Sequence, residues 1–593
     1  MGKVFLPFVS SGSATVPPIP PGQKIVIDPI TRIEGHLRIE VQINNGVVTD
    51  AWSAGTMWRG IETIMNGRDP RDAWLFTQRI CGVCTTVHSI ASIRAVENAL
   101  GVTIPDNARI LRNLMEGAQF VQDHVMHFYH LHALDWVDVT SALNADPAKA
   151  STLQQSISTW ANSNATYFQQ VKTRLQNFVG SGQLGLFANG YWGHSAYKLP
   201  PEVNLLAVAH YLEALDWQQQ FIKLHAILGG KSPHPQTYLV GGMATPVDPS
   251  NAASITPQRI AQLRALTDKA LEFVTQVYIP DLLLIASYYK DWANTGGGYG
   301  NFLSYGDFPT DTSNDPTKLW LPRGVVVNKN LSAPPQPMDQ NLIKEYIARS
   351  WYSYSGGDSV GKHPAQGETQ PNYTGPEPPY QFLNTDGKYS WLKAPRYNNT
   401  PMEVGPLARM IVAYAAGHAR VRELVGVVLG KLQVGPSALF STLGRVAARG
   451  IETQAIAEQM GGWLTQLETN IRNNNLAIHN STKWNPTSWP ANATGWGTTE
   501  APRGGLGHWI QIQNGKIVNY QAVVPTTWNG SPRDAMGQRG IFEQSLIGTR
   551  VADPTKPIEI LRTIHSFDPC MACAVHVVDA ENREVTRVKV EAM

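Results

Sequence analysis

The chain has 593 residues, 42% of them hydrophobic and only 16% charged, and its 48 basic and 46 acidic side chains leave a net charge of +2. That balance excludes a basic nucleic-acid binder and a polyacidic disordered chain, and no apolar run reaches the length of about 18 residues that a membrane-spanning helix needs. Few charges together with 17 tryptophans suit a chain that buries a large surface against a partner, because interface cores are rich in aromatics and poor in charge.

Residues 1–23 are rich in Pro, Ser and Gly and predict a loosely ordered arm. Its apolar stretch, residues 4–9, is too short for the core of a secretory signal, so no export signal of its own is expected. Residues 24–62 form an N-terminal β region, in which alternation over 24–53 predicts two or three strands with a turn at Asn44-Asn45-Gly46. Residues 63–290 predict a helical core, with helices at 107–137, 202–228 and 257–289; the second is apolar nearly all round, as a buried helix is. Residues 291–400 carry Gly296-Gly297-Gly298 and many prolines and predict an irregular surface excursion. The GGGYG there lacks the strand and helix that a phosphate loop requires. The helical core resumes over 401–480, with helices at 402–432 and 436–472. Residues 481–576 read as a C-terminal α/β region with a hairpin over 507–525 around Asn514-Gly515. The expected class is α+β, mainly α: a central bundle of long helices with small peripheral sheets.

Four cysteines occur, Cys81, Cys84, Cys570 and Cys573, as one C-x-x-C pair near each end. A disulfide framework does not suit so large and cysteine-poor a chain. Two such pairs offer four sulfurs to one soft or borderline metal. Structural zinc is the alternative, but zinc ribbons space their pairs by about 15–20 residues, and here most of the chain intervenes. A site drawn from both ends lies at the centre of the fold. After Cys84, Val87, Ile90, Ile93, Val96 and Leu100 recur at helical spacing, which puts the first pair at a helix N-terminus where the dipole favours thiolate. Gly82 permits a close turn between the sulfurs, and His88 falls one turn after Cys84 on the same face. Around the second pair, Pro569 fixes the entry, Asp568 precedes it and His576 follows. His124, His127 and His130 lie three apart beside Asp123; a zinc-binding face is conceivable, and a packed polar helix face is the favoured reading.

These residues lie within longer motifs: ITRIEGH (30–36), GTMWRGIE (55–62), RDPRDAWLFTQRICGVCTTVH (68–88), EAPRGGLGHW (500–509), VVPTTWN (523–529) and DPCMACAVH (568–576). In them the chain resembles the large, catalytic subunit of the nickel–iron hydrogenases, over residues 24–593, and within that family the respiratory, membrane-associated uptake enzymes. The resemblance implies that all four cysteines bind nickel. Cys84 and Cys573 would also bridge to an iron that carries one carbonyl and two cyanides, and Cys81 and Cys570 would be terminal. It makes Glu34 a proton relay beside Cys570. Arg503 becomes a guanidinium held over the metals among cyanide nitrogens and carboxylates such as Asp106 and Asp568. Pro502 and Thr526 complete that canopy, the Thr526 hydroxyl donating to cyanide. His88 would bond a bridging sulfur, and His234 would lie near the electron exit. Glu62, His576 and the carbonyl of Ala522 would hold magnesium.

The implied reaction is H2 ⇌ 2H⁺ + 2e⁻, run towards uptake and feeding a respiratory chain, with a terminal thiolate or Arg503 as first base. No cysteine remains for an iron–sulfur cluster and no G-x-G-x-x-G stands in strand–helix context, so electrons must leave through a partner. The resemblance supplies a small iron–sulfur subunit as that partner, in a heterodimer or a dimer of heterodimers, together with a membrane cytochrome b and a maturation endopeptidase. Residues 577–593, strongly charged, would be removed after His576 once nickel is inserted. Export to the periplasmic face of the membrane would ride on the small subunit. Two rivals are a metal-free quinone-oxidoreductase subunit, which lacks the four cysteines, and a zinc-stabilised scaffold.

Overall fold

Leu37, Ile39, Val41 and Ile43 alternate along one strand and all are buried in the computed structural model, which describes residues 22–182, 187 and 190–571. Residues 1–21, Cys573, His576 and the extension 577–593 lie outside the described residues. The expected N-terminal sheet is present: β1 (Gln23–Ile27), β2 (Leu37–Asn44) and β3 (Val47–Gly55) pair antiparallel in that order. Asn45 and Gly46 make the turn at φ 51° and 73°, the left-handed region those residue types tolerate.

The predicted helices exist, but most are broken where local chemistry forbids a continuous ladder. The run at 107–137 is α-helical over Asp106–Met126, π-helical over His127–His132 and 3-10 over Ala133–Asp135. The run at 257–289 is Pro257–Phe273, a π-turn Val274–Tyr278, and Ile279–Tyr288. Pro280 has no N–H for the carbonyl of Gln276. The Ser158 hydroxyl donates to that carbonyl instead, at 2.5 Å. The run at 402–432 is two helices, Pro406–Ala415 and Ala419–Leu432, parted at Gly417 with φ 84°. Thr442–Arg472 is the long helix of the last pair, its N-terminus capped by Ser441, which accepts from Gly444 N–H at 2.9 Å. It packs along Asp106–Met126, where a Cβ on Gly117 would lie 2.9 Å from the Trp463 ring. Among the described residues, Pro257–Tyr288 is the one helical run long and apolar enough to cross a membrane. Ile260, Leu263, Ala270, Phe273, Val277 and Leu282 bury it in the main core.

Residues 291–400 depart from the expectation of a surface excursion. Short antiparallel pairs run through them: Phe302–Ser304 with Gly324–Val326, Asp307–Pro309 with Leu319–Leu321, and Ile343–Tyr346 with Ala394–Tyr397. Phe302, Phe308, Trp351 and Tyr389 are fully buried. Ladders of three or four residues leave no periodicity to detect, while the aromatic side chains supply the apolar area that pulls the segment inward. Gly296 is there for close packing, since a Cβ would stand 2.2 Å from the Thr442 hydroxyl.

The expected hairpin over 507–525 is two strands of a three-stranded sheet, Asn492–Ala501, Gly504–Gln513 and Lys516–Val523. Its first strand, NATGWGTTEA, lacks a hydrophobic alternation because one face is glycine. The helix Val87–Leu100 lies against that face so closely that a Cβ on Gly497 would be 2.2 Å from the backbone nitrogen of Ala95. On Gly495 it would be 2.3 Å from the Ala95 carbonyl oxygen. Backbone cannot yield as a side chain does, so Gly497→Ala should destabilise the protein by about 2 kcal/mol or more in urea unfolding. Ala at half-buried Gly515 offers the control: its Cβ meets nothing within 4 Å, and its φ of 74° leaves only the smaller backbone cost.

Candidate metal centre

Cys81 follows the 3-10 turn Gln78–Ile80 in an extended conformation, and Cys84 N–H donates back to its sulfur at 3.2 Å. The helix Val87–Leu100 starts directly after, so the first pair sits at a helix N-terminus as its sequence predicts. Cys570 arrives from the other end of the chain. The helix Ile558–His565 stops at Ser566, Asp568 takes a left-handed φ of 56°, and Cys570 forms a parallel bridge with Glu34. Met571 N–H donates to the Glu34 carbonyl at 2.6 Å.

The sulfurs of Cys81 and Cys570 stand 3.4 Å apart, and those of Cys81, Cys84 and Cys570 all lie within 4.8 Å of one another, buried. That is beyond the ~2.05 Å of a disulfide and suits thiolates sharing one soft ion at about 2.3 Å each. The half-buried Glu34 accepts from the Cys570 thiol at 3.3 Å. The Thr526 hydroxyl oxygen accepts from Cys570 N–H at 3.0 Å, which leaves its own proton free to donate into the site.

Arg503 is carried by the two-residue turn Pro502-Arg503 between Ala501 and Gly504. Gly504 is required there: its φ is 136° and a Cβ would lie 2.5 Å from Val404. The guanidinium reaches Asp568 at 3.1 Å and Asp123 at 3.2 Å. The expectation for Asp106 is therefore corrected. Asp106 pairs with Arg109 and accepts from Asn470, both at 2.8 Å, in the first turn of the helix whose far end carries Asp123. Seventeen residues of helix separate them by about 25 Å. Asp123 was within view beside His124; the signal for it is a carboxylate inside a helix buried on every side, which demands a cation.

Burial lifts Asp123 to about 7 against the opposing pull of Arg503, with Asp568 adding to the rise, and burial likewise lifts Asp568. Burial works against the Arg503 cation too, but Asp568, Cys570, Asp123 and Cys84 outweigh it and hold the guanidinium charged.

The turn carrying Arg503 is itself clamped. Arg409, fully buried, donates to the carbonyls of Ala501 and Pro502 at 2.8 and 2.9 Å and to Glu500 at 2.8 Å. Its other contacts are to Glu452 at 2.5 and 2.6 Å, and His124 bonds Glu452 at 2.7 Å. His127 bonds the His565 carbonyl at 2.7 Å and His130 the Tyr211 carbonyl at 3.1 Å. The three histidines have three separate partners, so the packed-face reading holds over zinc.

His88 Nδ1 faces His508 Nε2 at 3.1 Å, and His508 Nδ1 meets the Tyr520 hydroxyl at 2.6 Å. Burial lowers His88 to about 4 and holds His508 well below the usual imidazole range, so both rings are neutral. With Tyr520 donating, the proton of His508 is on Nε2 and that of His88 on its own Nε2. That N–H has no hydrogen-bond partner among the described residues. The expected bond to Cys84 is not made, and Cys573 lies outside them. His234 donates its backbone N–H to the Thr85 hydroxyl, and its ring stands against Gly82, 3.8 Å from where a Cβ would be, beside the exposed Val83.

Glu62 lines a cavity of about 50 Å³ with Glu345, Thr369, Lys393 and Ala522. It accepts from Ala522 N–H at 3.0 Å and lies 3.6 Å from the Lys393 ammonium. Ala522 thus meets Glu62 through its N–H, where a carbonyl contact to a shared ion was expected.

The model of the family described as nickel-dependent hydrogenase matches residues 59–576, and a HoxL-like model matches residues 24–53. The uptake hydrogenase large subunit of Rhizobium leguminosarum bv. viciae is 52% identical over 584 residues, 96% of this chain and 98% of that one. The hydrogenase-1 large chain of Escherichia coli (strain K12) is 48% identical over 584 residues, with 96% and 97% covered. Among solved structures, the Ni-Fe-Se hydrogenase of D. vulgaris Hildenborough in its reduced state superposes with a TM-score of 0.73 at 36% identity, covering 93% of this chain and all of that one.

Two carboxylates of one helix now make opposite predictions. Asp123→Asn should lower turnover about ten-fold or more, because Arg503 loses a buried charged partner. Asp106→Asn should stay within about two-fold. Steady-state rates of the two purified variants decide.

Proposed function

The chain belongs to the nickel-dependent hydrogenase family, and from that premise we propose that it is the large catalytic subunit of an uptake hydrogenase that oxidises H2 to two protons and two electrons. The observation that carries the reading is the meeting of thiols from both ends of the chain within 4.8 Å, with a carboxylate oxygen 3.3 Å from one of them.

Cys81, Cys84 and Cys570, with Cys573, would hold the nickel–iron centre, Cys84 and Cys573 also as ligands of the iron; the three described donors fit, being all sulfur and buried. Such a centre polarises the H–H bond and takes up the electron pair. The chain's own residues serve the proton. Cys570 Sγ is placed to take it and Glu34 Oε2 to receive it. Arg503 keeps its charge between Asp123 and Asp568, so it orients and stabilises and is poorly suited to be the base. The Thr526 hydroxyl, which accepts from Cys570 N–H, and the Nε2–H of His88 would serve as donors to the centre's ligands.

Glu62, with Ala522 and His576, would hold magnesium in the polar cavity beside Lys393, where a small hard cation keeps several waters. All four cysteines are committed, so the iron–sulfur clusters belong to the small subunit. The half-buried His234 and the exposed Val83 beside the first pair suit an electron exit on that side. We place the complex at the periplasmic face of the membrane, exported with the small subunit and passing electrons to a cytochrome b. Residues 577–593 would be removed by an endopeptidase; the family match ends at His576.

Carbonyl and cyanide infrared bands from the purified complex test the centre. Cys81→Ser should abolish both activity and nickel retention, and a variant with full nickel and normal turnover refutes the ligand set. Glu34→Gln should keep the bands and lose about 10²- to 10⁴-fold in turnover. Intact mass should place the C-terminus of active enzyme at His576; active enzyme that still carries Met593 refutes processing.

A further inference from the structure

Behind Glu34 lies a buried charge cluster that the reaction scheme leaves unused. Glu34 sits in an irregular loop with Arg32 at φ 55° and Gly35 at φ 83°. An arginine in the left-handed region is held there against its preference. Its guanidinium donates to the Leu131 carbonyl at 2.7 Å and pairs with Asp135 at 2.5 Å. The other oxygen of Asp135 accepts from His565 Nδ1 at 2.6 Å, and His565 Nε2 lies 2.8 Å from the carbonyl oxygen of Thr31. A carboxylate and a carbonyl can only accept, so each ring nitrogen of His565 is aimed at an acceptor. Asp135 and His565 are each 1% exposed.

The placement of His565 gives the cluster its meaning. It ends the helix Ile558–His565, five residues before Cys570, and the residue it bonds, Thr31, is three before Glu34. Among the described residues the Glu34 loop is joined to the Cys570 segment at Met571 N–H to Glu34 carbonyl, 2.6 Å, and at His565 to Thr31, 2.8 Å. The first fixes the backbones at the bridge. The second fixes how the loop leans on the helix, and with it the 3.3 Å between Glu34 Oε2 and Cys570 Sγ.

We propose that His565 and Asp135 are positioning residues that set the distance for proton handover from Cys570 to Glu34; the proposal rests on the reading of Glu34 as relay. Neither touches the reacting atoms. Asp135 orients the His565 ring through Nδ1, and the ring holds Thr31 through Nε2.

Two substitutions of His565 separate positioning from mere filling of space. Gln places an amide nitrogen where Nε2 was and keeps the donor to Thr31; Asn places one where Nδ1 was and keeps only the donor to Asp135. In the assembled two-subunit enzyme, His565→Asn should lower kcat about ten-fold at unchanged KM for H2, with nickel content and infrared bands intact and a larger solvent isotope effect. His565→Gln should stay within about three-fold of the parent. In a Glu34→Gln background His565→Asn should cause no further loss. Equal losses for Asn and Gln overturn the proposal, as does the same His565→Asn loss in both backgrounds. Should the Asn variant not assemble, Asp135→Asn is read the same way: a loss confined to the Glu34 background supports the clamp, and a loss independent of Glu34 overturns it. Full turnover in Glu34→Gln alone overturns the relay reading, and the clamp with it, and is distinct from either other failure.

Discussion

A short contact joins the N-terminal loop to the Cys570 segment: the parallel bridge between Glu34 and Cys570, closed by the Met571 N–H on the Glu34 carbonyl. Everything chemical is arranged about it. It brings Cys570 against the first cysteine pair, sets a carboxylate beside a thiol, and closes a loop of 536 residues. The entropic cost of such a closure grows only logarithmically with length, so the cost falls mainly on burial. The segment that carries Cys570 must enter a core that already holds charged groups. It does so by bringing partners for them: Asp568 pairs with Arg503, and the His565 ring hydrogen-bonds Asp135.

The polar groups around the centre are paired in a continuous web. Arg409 holds the turn of Arg503 and is held by Glu452 and Glu500; Glu452 holds His124. Removing one member of such a web leaves the others buried and uncompensated, which costs far more than the pair gains. Rigidity at Arg503 thus comes from three helices, those carrying Arg409, Glu452 and His124.

How far the residues announced this arrangement depended on whether a signal was local. The four cysteines, the helix after Cys84, the strands around Asn45-Gly46 and the hairpin at Asn514-Gly515 are legible because spacing or turn chemistry marks them. Nothing local marks Asp123 over Asp106, because Asp106–Met126 is buried nearly all round, with Arg109, Arg112, Glu116, Asp123 and His124 all inside. In such a helix periodicity no longer tells which acid faces the site. The strand Asn492–Ala501 was missed because its packing surface is absent side chains, Gly495 and Gly497, and absence has no hydropathy. The segment 291–400 was misjudged because its ladders are too short to show a period.

Closing the centre with the final residues also has a consequence in time. Cys81 and Cys570 are 489 positions apart, and a ribosome adding about 5–20 residues per second takes roughly 25 to 100 s to cover that distance. For that interval the first pair has been made and its partner has not. The helix N-terminus at Val87 that favours thiolate in the finished protein makes the same two sulfurs the most oxidisable groups of the nascent one. Two thiols separated by two residues are well placed to close on each other as a disulfide. Synthesis of this chain therefore belongs in a reducing compartment, wherever the finished enzyme works.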